Sequence, residues 1–433
     1  MKLKAILTVT FALMLLIIVG CSSNNGANED NESQGNASDD VRTIDFITED
    51  TPDVQEAKLL SDYDAERPDT DLQIETIEQN NILQQISLLA ASNDLPELFK
   101  YESNQLGDLI DNGSVLNVEE AFNELGIEDQ LNPAAVDLLK QLSGDRGLYA
   151  LPVELNIEGF WYNKEIFDEQ GLEVPETWDE LLAASETLLA AGVQPFAVAG
   201  KERWPITRLI NGYIIRYYGA NAMEDVSNGD LSITDEGFVE AVTTIQDMGQ
   251  AGYFGQGVNT IDGDTALDTF LQGQAAIYYS GSWDVANFNN EERNQIGIDN
   301  IGLFNVPLVE GGEGKLSDWS MNAGLTLSIS AEKYDEQMAE WVKEAFTGYG
   351  ERAMEEMGMV SGFTVENMPE EISPLTELTL ETIDKAENAA LWFEGRFNAD
   401  QKLVAEQNAQ LLVNGDMTPE EYLESLDAEL TEW

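Results

Sequence analysis

Strand-like and helix-like patterns of hydrophobic residues alternate along the chain once its first forty residues have passed. The segments 42–50 (RTIDFITED) and 70–78 (TDLQIETIE) have the apolar spacing of strands, and a third buried strand starts at 96–99. Between them, 51–67 and 82–91 have the spacing of helices, with apolar residues recurring on one face. This β-α-β-α-β order predicts an α/β fold with a parallel sheet covered by helices on both faces.

The helical pattern is clearest over 175–192 (PETWDELLAASETLLAAG). Thr177 stands at the N-cap position, Glu180 completes a capping box three residues later, and Gly192 is typical of a helix end. Two more buried strands and a C-terminal amphipathic acidic helix are predicted at 274–283, 323–330 and 419–433.

The N-terminus has the pattern of a secretion signal. Two early lysines precede an apolar run over 5–19, which is shorter than the roughly 20 residues that a membrane span needs. The run ends in 18–21 (IVGC), which resembles a bacterial lipobox, and the cysteine is the only one in the chain. In lipobox proteins the thiol is acylated and the chain is cut before it. We therefore predict a lipoprotein signal peptide over 1–20 and lipidation of Cys21.

A polar tether is predicted to follow over 21–40, because Ser, Asn, Gly, Asp and Glu dominate it and cannot bury apolar surface. The roughly 390 residues after it are enough for two domains of ordinary size. No linker separates two halves, which suggests lobes joined by several crossings of the chain.

Composition narrows the chemistry. The chain has no histidine and a single cysteine, which excludes Ser-His-Asp and Cys-His triads and the usual Cys/His zinc sites. We predict neither a metal site nor a cofactor. The net charge of −61, from 82 acidic and 21 basic residues, argues against binding to nucleic acid or docking on anionic lipid. Acidic residues in this excess repel one another, and molar salt screens that repulsion. The composition therefore indicates a saline or alkaline exterior.

A series of segments in this chain resembles the extracellular solute-binding proteins of sugar ABC importers. The segments are, in order, 148–152 (LYALP), 161–164 (WYNK), 175–178 (PETW), 273–288 (GQAAIYYSGSWDVANF), 301–315 (IGLFNVPLVEGGEGK) and 414–430 (NGDMTPEEYLESLDAEL). Their order and spacing cover nearly all of 41–433.

This resemblance implies a two-lobed periplasmic-binding-protein fold with discontinuous lobes and several hinge crossings. We expect lobe I over 41–156 and 323–363, and lobe II over 157–322 and 364–433. The implied protein is not an enzyme. It is a monomer held at the outer face of the cell membrane by its lipid, with a sugar ligand and the permease subunits of an ABC transporter as partners.

Sugars present apolar CH faces and a ring of hydroxyls, so a sugar site needs flat aromatic side chains beside polar ones. In open α/β sheets, ligands lie outside the carboxyl ends of the strands. At such positions, or where the resemblance suggests a contact, we predict in lobe II Trp283, Trp392, Glu394, Arg396, Trp204, Trp319, Asp318 and one of Trp161 and Tyr162. In lobe I we predict Glu49, Asp50, Gln79, Asn80, Lys100 and Tyr101, with Glu154 at a crossing. Two other tryptophans, Trp178 and Trp341, lie on amphipathic helices and are expected in the core.

Two alternatives stay open at this point. The same transport role would suit a polyol or an osmoprotectant, since a quaternary ammonium binds in an aromatic cage. A secreted glycoside hydrolase also combines aromatic residues with paired carboxylates. With 82 acidic residues, pairs of carboxylates occur by chance and do not distinguish a hydrolase from a binding protein. The interleaved lobes favour a binding protein. The identity, linkage and length of the sugar do not follow from the sequence.

Overall fold

The computed structural model describes residues 41–51, 54–144 and 146–430. The predicted signal peptide, the lipidation site at Cys21 and the predicted tether lie outside the described residues and stay predictions. In the described ranges, no helix combines the length and the apolar composition that a membrane span requires.

Two β-sheets organise the fold. Their strands are β1 Arg42–Glu49, β2 Thr70–Ile77, β3 Leu98–Tyr101, β4 Asn156–Asn163, β5 Gln194–Ala197, β6 Ala275–Gly281, β7 Ile301–Phe304, β8 Asp318–Asn322, β9 Thr326–Ile329 and β10 Asn388–Ala390. The first sheet has the order β2-β1-β3-β9, and the second has the order β10-β8-β4-β6-β5, with β7 paired to β4. The predicted strands at 42–50, 70–78, 96–99, 274–283 and 323–330 correspond to β1, β2, β3, β6 and β9.

The first sheet is parallel where the sequence predicts it. β1 pairs in parallel with both β2 and β3, whereas β9 joins the edge of β3 antiparallel. In the second sheet, β4 is antiparallel to β6, β7 and β8, and the parallel pairs are β5 with β6 and β10 with β8.

Helices cover these sheets. They are α1 Gln55–Asp64, α2 Gln79–Ser92, α3 Gly107–Asp111, α4 Val118–Leu125, α5 Pro133–Leu142, α6 Lys164–Gln170, α7 Trp178–Ala190, α8 Trp204–Tyr217, α9 Ala222–Ser227, α10 Glu236–Gln250, α11 Gly263–Leu271, α12 Val285–Phe288, α13 Glu336–Phe346, α14 Tyr349–Met357, α15 Pro374–Lys385, α16 Ala399–Asn414 and α17 Pro419–Leu430. The capping box of Thr177 and Glu180 is present at the start of α7, which ends at Ala190, two residues before Gly192.

The two faces of the first sheet are buried by different helices, because side chains alternate along a strand. Phe46 belongs to the core that contains Leu60 of α1, whereas its neighbour Ile47 packs with Ile82 and Ile86 of α2. Helices on both faces of this sheet are thus confirmed.

Within the residues that the structure describes, the chain passes between the sheets three times. β3 is followed by β4 of the second sheet, β8 by β9 of the first sheet, and β9 by β10 of the second sheet. Each sheet is therefore assembled from segments that are distant in sequence. The residue boundaries predicted for the two lobes stay predictions.

Candidate functional site

A cavity of about 120 Å³ is lined by residues from the connections of both sheets, and we call it the central cavity. From the first sheet and the crossings, its lining comprises Glu49, Gln79, Asn80, Ile82, Leu83, Glu102, Glu154, Asn322, Gly324 and Leu325. From the second sheet and its helices, it comprises Trp204, Arg208, Trp283, Trp392, Glu394, Lys402 and Glu406. At roughly 10–15 Å³ for one water, the space suits on the order of ten waters or one small polar ligand.

Strand ends bring the first-sheet residues together. Glu49 is the last residue of β1, Glu102 directly follows β3, and Gln79 begins α2 just after β2. Because β1, β2 and β3 are parallel, their carboxyl ends meet at one edge of the sheet. This edge is where open α/β sheets bind their ligands.

Three tryptophans form an aromatic wall on the opposite side. The rings of Trp204 and Trp283 meet edge to face with their centroids 5.7 Å apart. The guanidinium carbon of Arg208 lies 5.6 Å from the centroid of Trp204 and 5.5 Å from that of Trp392. Gly281 makes room for this wall, since a Cβ there would lie 2.1 Å from the Trp283 ring.

Arg208 links two buried carboxylates. Its Nε donates to Glu158 Oε2 at 3.0 Å, and its Nη1 donates to Glu394 Oε2 at 2.7 Å. Glu158 also accepts hydrogen bonds from Tyr279 Oη at 3.1 Å and from the amide of Asn322. Burial lowers the pKa of Arg208, but the charges of Glu158 and Glu394 outweigh it and raise this pKa above its ordinary value.

Lys402 forms a second ionic group in the cavity wall. It contacts the carboxylate of Glu102 and lies 3.5 Å from Glu406 Oε1, one turn further along α16. Burial raises the pKa of Glu406 to about 7, although the nearby Lys402 ammonium lowers it. Burial opposes the charged form of Lys402, but the carboxylates of Glu102 and Glu406 raise its pKa above the ordinary value.

A third ionic group lies behind the wall, around Lys100. Its Nζ is 2.6 Å from Glu56 Oε1, 3.2 Å from Glu154 Oε1 and 3.9 Å from Glu49 Oε1. Lys100 and Glu56 are fully buried. Burial raises the pKa of Glu154 to about 7 and also raises that of Glu49, while Lys100 lowers both.

The structure brings half of the predicted ligand-contact residues together around the central cavity. These residues are Trp283, Trp392, Glu394, Trp204, Glu154, Glu49, Gln79 and Asn80. Trp178 and Trp341, expected in the core, are 3% and 0% exposed.

Neither Trp161 nor Tyr162 lines the cavity, although one of them was expected to face it. Trp161 is fully buried against Phe288, with ring centroids 4.9 Å apart, and Tyr162 packs on Phe167 at 4.8 Å. The reason is that β4 lies inside the second sheet, where packed side chains cover both faces. We therefore remove both residues from the candidate site.

Arg396, Asp318 and Trp319 also lie outside the lining, because local partners engage them. Arg396 pairs with Glu224 at 2.7 Å, and Asp318 accepts from the Asn388 amide at 2.7 Å. Trp319 is 9% exposed and packs close to Gly159 of the neighbouring strand β4.

The remaining first-sheet predictions have other positions. Asp50 is exposed beyond the end of β1. Tyr101 is buried, with its hydroxyl 3.0 Å from Ser87 Oγ of α2. Lys100 is fully buried and does not line the cavity, but its Nζ donates to Oε1 of the lining residue Glu154 at 3.2 Å.

Nine lining residues were not predicted from the sequence, namely Arg208, Glu102, Lys402, Glu406, Asn322, Gly324, Ile82, Leu83 and Leu325. A signal existed for two pairs. Arg208 lies one helical turn after Trp204, and Lys402 lies one turn before Glu406, so each pair shares a helix face. Glu102 directly follows β3, so the strand-end criterion would have found it had the third strand been predicted to end at Tyr101.

Comparisons with known proteins agree with this architecture. The family of bacterial extracellular solute-binding proteins matches residues 48–347. The "Multiple sugar-binding protein" of Streptococcus mutans is 26% identical over 383 residues, which cover 84% of this chain and 86% of that protein. The "Galactooligosaccharide-binding protein" of Bacillus subtilis is 24% identical over 248 residues, covering 57% and 54%.

A solved structure named "Chitin oligosaccharide binding protein" has a TM-score of 0.80 and 24% identity, and covers 91% of this chain and 99% of that one. The predicted two-lobed solute-binding fold is thus confirmed. Because the matched family consists of binding proteins, the prediction that the chain is not an enzyme is also confirmed. The chain belongs to the family of bacterial extracellular solute-binding proteins.

Proposed function

We propose that this protein captures a sugar or oligosaccharide in the central cavity and delivers it to the permease of an ABC importer. The observation that carries the proposal is the meeting of Trp204, Trp283 and Trp392 with buried carboxylates in one cavity. Aromatic rings suit the apolar faces of a sugar, and carboxylate oxygens accept hydrogen bonds from its hydroxyls. The names of the relatives in Streptococcus mutans and Bacillus subtilis point in the same direction.

Contacts across the cavity support capture by closure of two lobes. On one rim, Trp204 Nε1 donates to Gln79 Oε1 at 3.2 Å, and the Asn80 amide donates to the carbonyl of Lys201 at 3.2 Å. On the other rim, the Gln105 amide donates to the carbonyl of Phe397 at 2.6 Å. Each of these hydrogen bonds is weak, and the ion pair between Lys402 and Glu102 also joins the two proposed lobes. In the described part of the chain, the covalent links between the sheets are confined to the three crossings. The lobes can therefore separate at the rims and turn about the crossings.

We place the lobes, as part of the proposal, at 41–156 with 323–363 and at 157–322 with 364–433. We also propose that Cys21 carries the lipid that holds the protein at the outer face of the membrane, and that the protein acts as a monomer. The single cysteine at the end of the apolar run supports the anchor.

A thermal-shift screen against a library of sugars, polyols and quaternary ammonium osmoprotectants in high salt tests the proposal. A ligand that binds only the folded state stabilises it by about 2.7 kcal/mol at 100 times its dissociation constant. We expect a sugar to give the largest shift and to be recovered intact after incubation. A shift by osmoprotectants alone, or shortened oligosaccharides, would contradict the proposal.

A further inference from the structure

The geometry points to a sugar that carries a protonated amino group as the ligand of the central cavity. This inference rests on the proposed function, because it names the class of sugar that the cavity takes. Three observations carry it. They are the charge balance of the walls, two carboxylate oxygens without a hydrogen-bond partner in the described residues, and the contact of the Arg208 guanidinium with two tryptophan rings.

Carboxylates outnumber cations in the walls of the cavity. The acidic side chains are Glu49, Glu102, Glu154, Glu394 and Glu406. Arg208 and Lys402 are the cations of the lining, and each is engaged by two carboxylates. Lys100, behind the wall, is shared among three. The formal charge of these groups is therefore negative, although burial raises the pKa of Glu154 and Glu406 to about 7 and so reduces this excess at neutral pH. The cations of the cavity are not available to an anionic ligand.

Two of these carboxylates have an oxygen that lacks a hydrogen-bond partner within the described part of the chain. They are Glu394 Oε1 and Glu102 Oε2, and both atoms are buried. The Glu394 residue is only 1% exposed, and its other oxygen accepts from Arg208. A buried acceptor without a donor is costly, and both residues line the central cavity, so a ligand that brings donors to these carboxylates is favoured. An ammonium group supplies three N–H donors and no acceptor, and its charge matches the carboxylates.

The aromatic wall accepts positive charge as well. Arg208 lies over the rings of Trp204 and Trp392 at distances typical of cation–π contacts. Trp283 lines the same cavity as Glu394 and Glu102, so a sugar whose CH face stacks on Trp283 shares the space with both carboxylates. An uncharged hydroxyl in place of the amino group would donate a hydrogen bond to one acceptor, but it would not offset the excess of negative charge in the cavity walls.

The acidic surface of the protein would attract any cation at low salt, so the test needs conditions that remove this attraction. At 1 M salt the screening length falls to about 3 Å, which suppresses surface effects but acts much less on buried groups. A preference for an amino sugar that persists in 1 M NaCl therefore belongs to the cavity.

The experiment is calorimetric titration of the whole protein, at about neutral pH in 1 M NaCl, with matched sets of sugars. Each set contains the neutral sugar, its amino form and its N-acetylated form, for glucose, galactose and the β-1,4-linked glucose dimer. We expect, in at least one set, the amino form to bind at least about tenfold tighter than both uncharged members, because hydrogen bonds to charged groups are stronger.

Variants connect this preference to the carboxylates. Glu394→Gln and, separately, Glu102→Gln should reduce the affinity for the amino form more than that for the neutral form. The matched control is Glu173→Gln, which removes an exposed carboxylate and should leave both affinities unchanged. Melting curves verify that each variant is folded, and the titrations of the unaltered protein stand even if one variant is not.

The outcomes separate the two claims. If a neutral or N-acetylated sugar binds and no amino form exceeds it, the inference is overturned while the proposed function survives. If no member of any set binds, the inference is overturned, and the thermal-shift screen against the wider sugar library decides whether the proposed function survives. If an amino form binds tightest but its advantage is the same in both carboxylate variants, the assignment to Glu394 and Glu102 is wrong.

Discussion

Replacing Lys100 by methionine tests whether the buried ionic group at the crossing supports the fold or contacts ligand. The change removes the ammonium that compensates Glu49, Glu56 and Glu154, all of which are at most 6% exposed. Methionine has a similar length and no charge, so the cavity left behind is small. The variant therefore isolates the loss of charge compensation.

The expected cost follows from the burial of these partners. Removing one member of a buried ion pair destabilises a protein by about 3–5 kcal/mol, because a desolvated charge is left uncompensated. With an unfolding entropy of about 2.1 cal/mol/K per residue over about 390 residues, this corresponds to a decrease in melting temperature of roughly 4–6 °C.

The cost should depend on pH in a defined direction. Burial raises the pKa of Glu154 to about 7 even with Lys100 present, and also that of Glu49. Without Lys100, these carboxyl groups take up protons more readily, which removes the uncompensated charge. The gap in stability between the variant and the unaltered protein should therefore be largest above pH 7 and shrink towards pH 5.

Differential scanning calorimetry at several pH values measures this gap, with Lys315→Met as the control because Lys315 is exposed. An unchanged melting temperature together with weakened sugar binding would refute the argument. It would restore the sequence-based prediction that Lys100 contacts ligand.

Four further predictions concern other parts of the chain. Gly281→Ala should displace the Trp283 ring and weaken sugar binding by roughly ten- to a hundredfold in titrations, since loss of an anchor costs about 1–3 kcal/mol; unchanged affinity would remove Trp283 from the site. The pKa of Glu406 rises from 4.5 to about 7 on folding, so this residue makes the protein lose stability as pH rises from 4.5 to 7. Glu406→Gln should flatten that loss in thermal melts, and an identical slope would contradict the assignment. Melting temperature should rise with NaCl up to the molar range, and a flat or falling curve would remove the prediction of a saline habitat. Cys21→Ser should release a folded protein from the membrane fraction, and retention there would disprove the anchor.

Much of the fold follows from local pattern. β1, β2 and α2 lie within a few residues of their predicted positions, because alternating or helical spacing and turn residues all favour the same structure. The capping box of α7 is present for the same reason. The pairing of β9 with β3 and the insertion of β4 among antiparallel neighbours depend on contacts between distant segments, which no local pattern contains.

The candidate site was predictable where strand ends determine it. Glu49, Gln79 and Trp283 lie at or within two residues of the ends of parallel or buried strands, and the structure places them around the cavity. Trp161 shows the limit of this approach, since its burial depends on how many strands flank β4. Arg208 was missed because its role depends on Glu158 and Glu394, which are far away in sequence.

A crystal structure of the protein with the sugar that gives the largest thermal shift tests the central claim most directly. We expect density for that sugar in the central cavity, against at least one of Trp204, Trp283 and Trp392, and with a hydrogen bond to Glu394 or Glu102. Density for the sugar at another surface, with the central cavity holding only water, would contradict it.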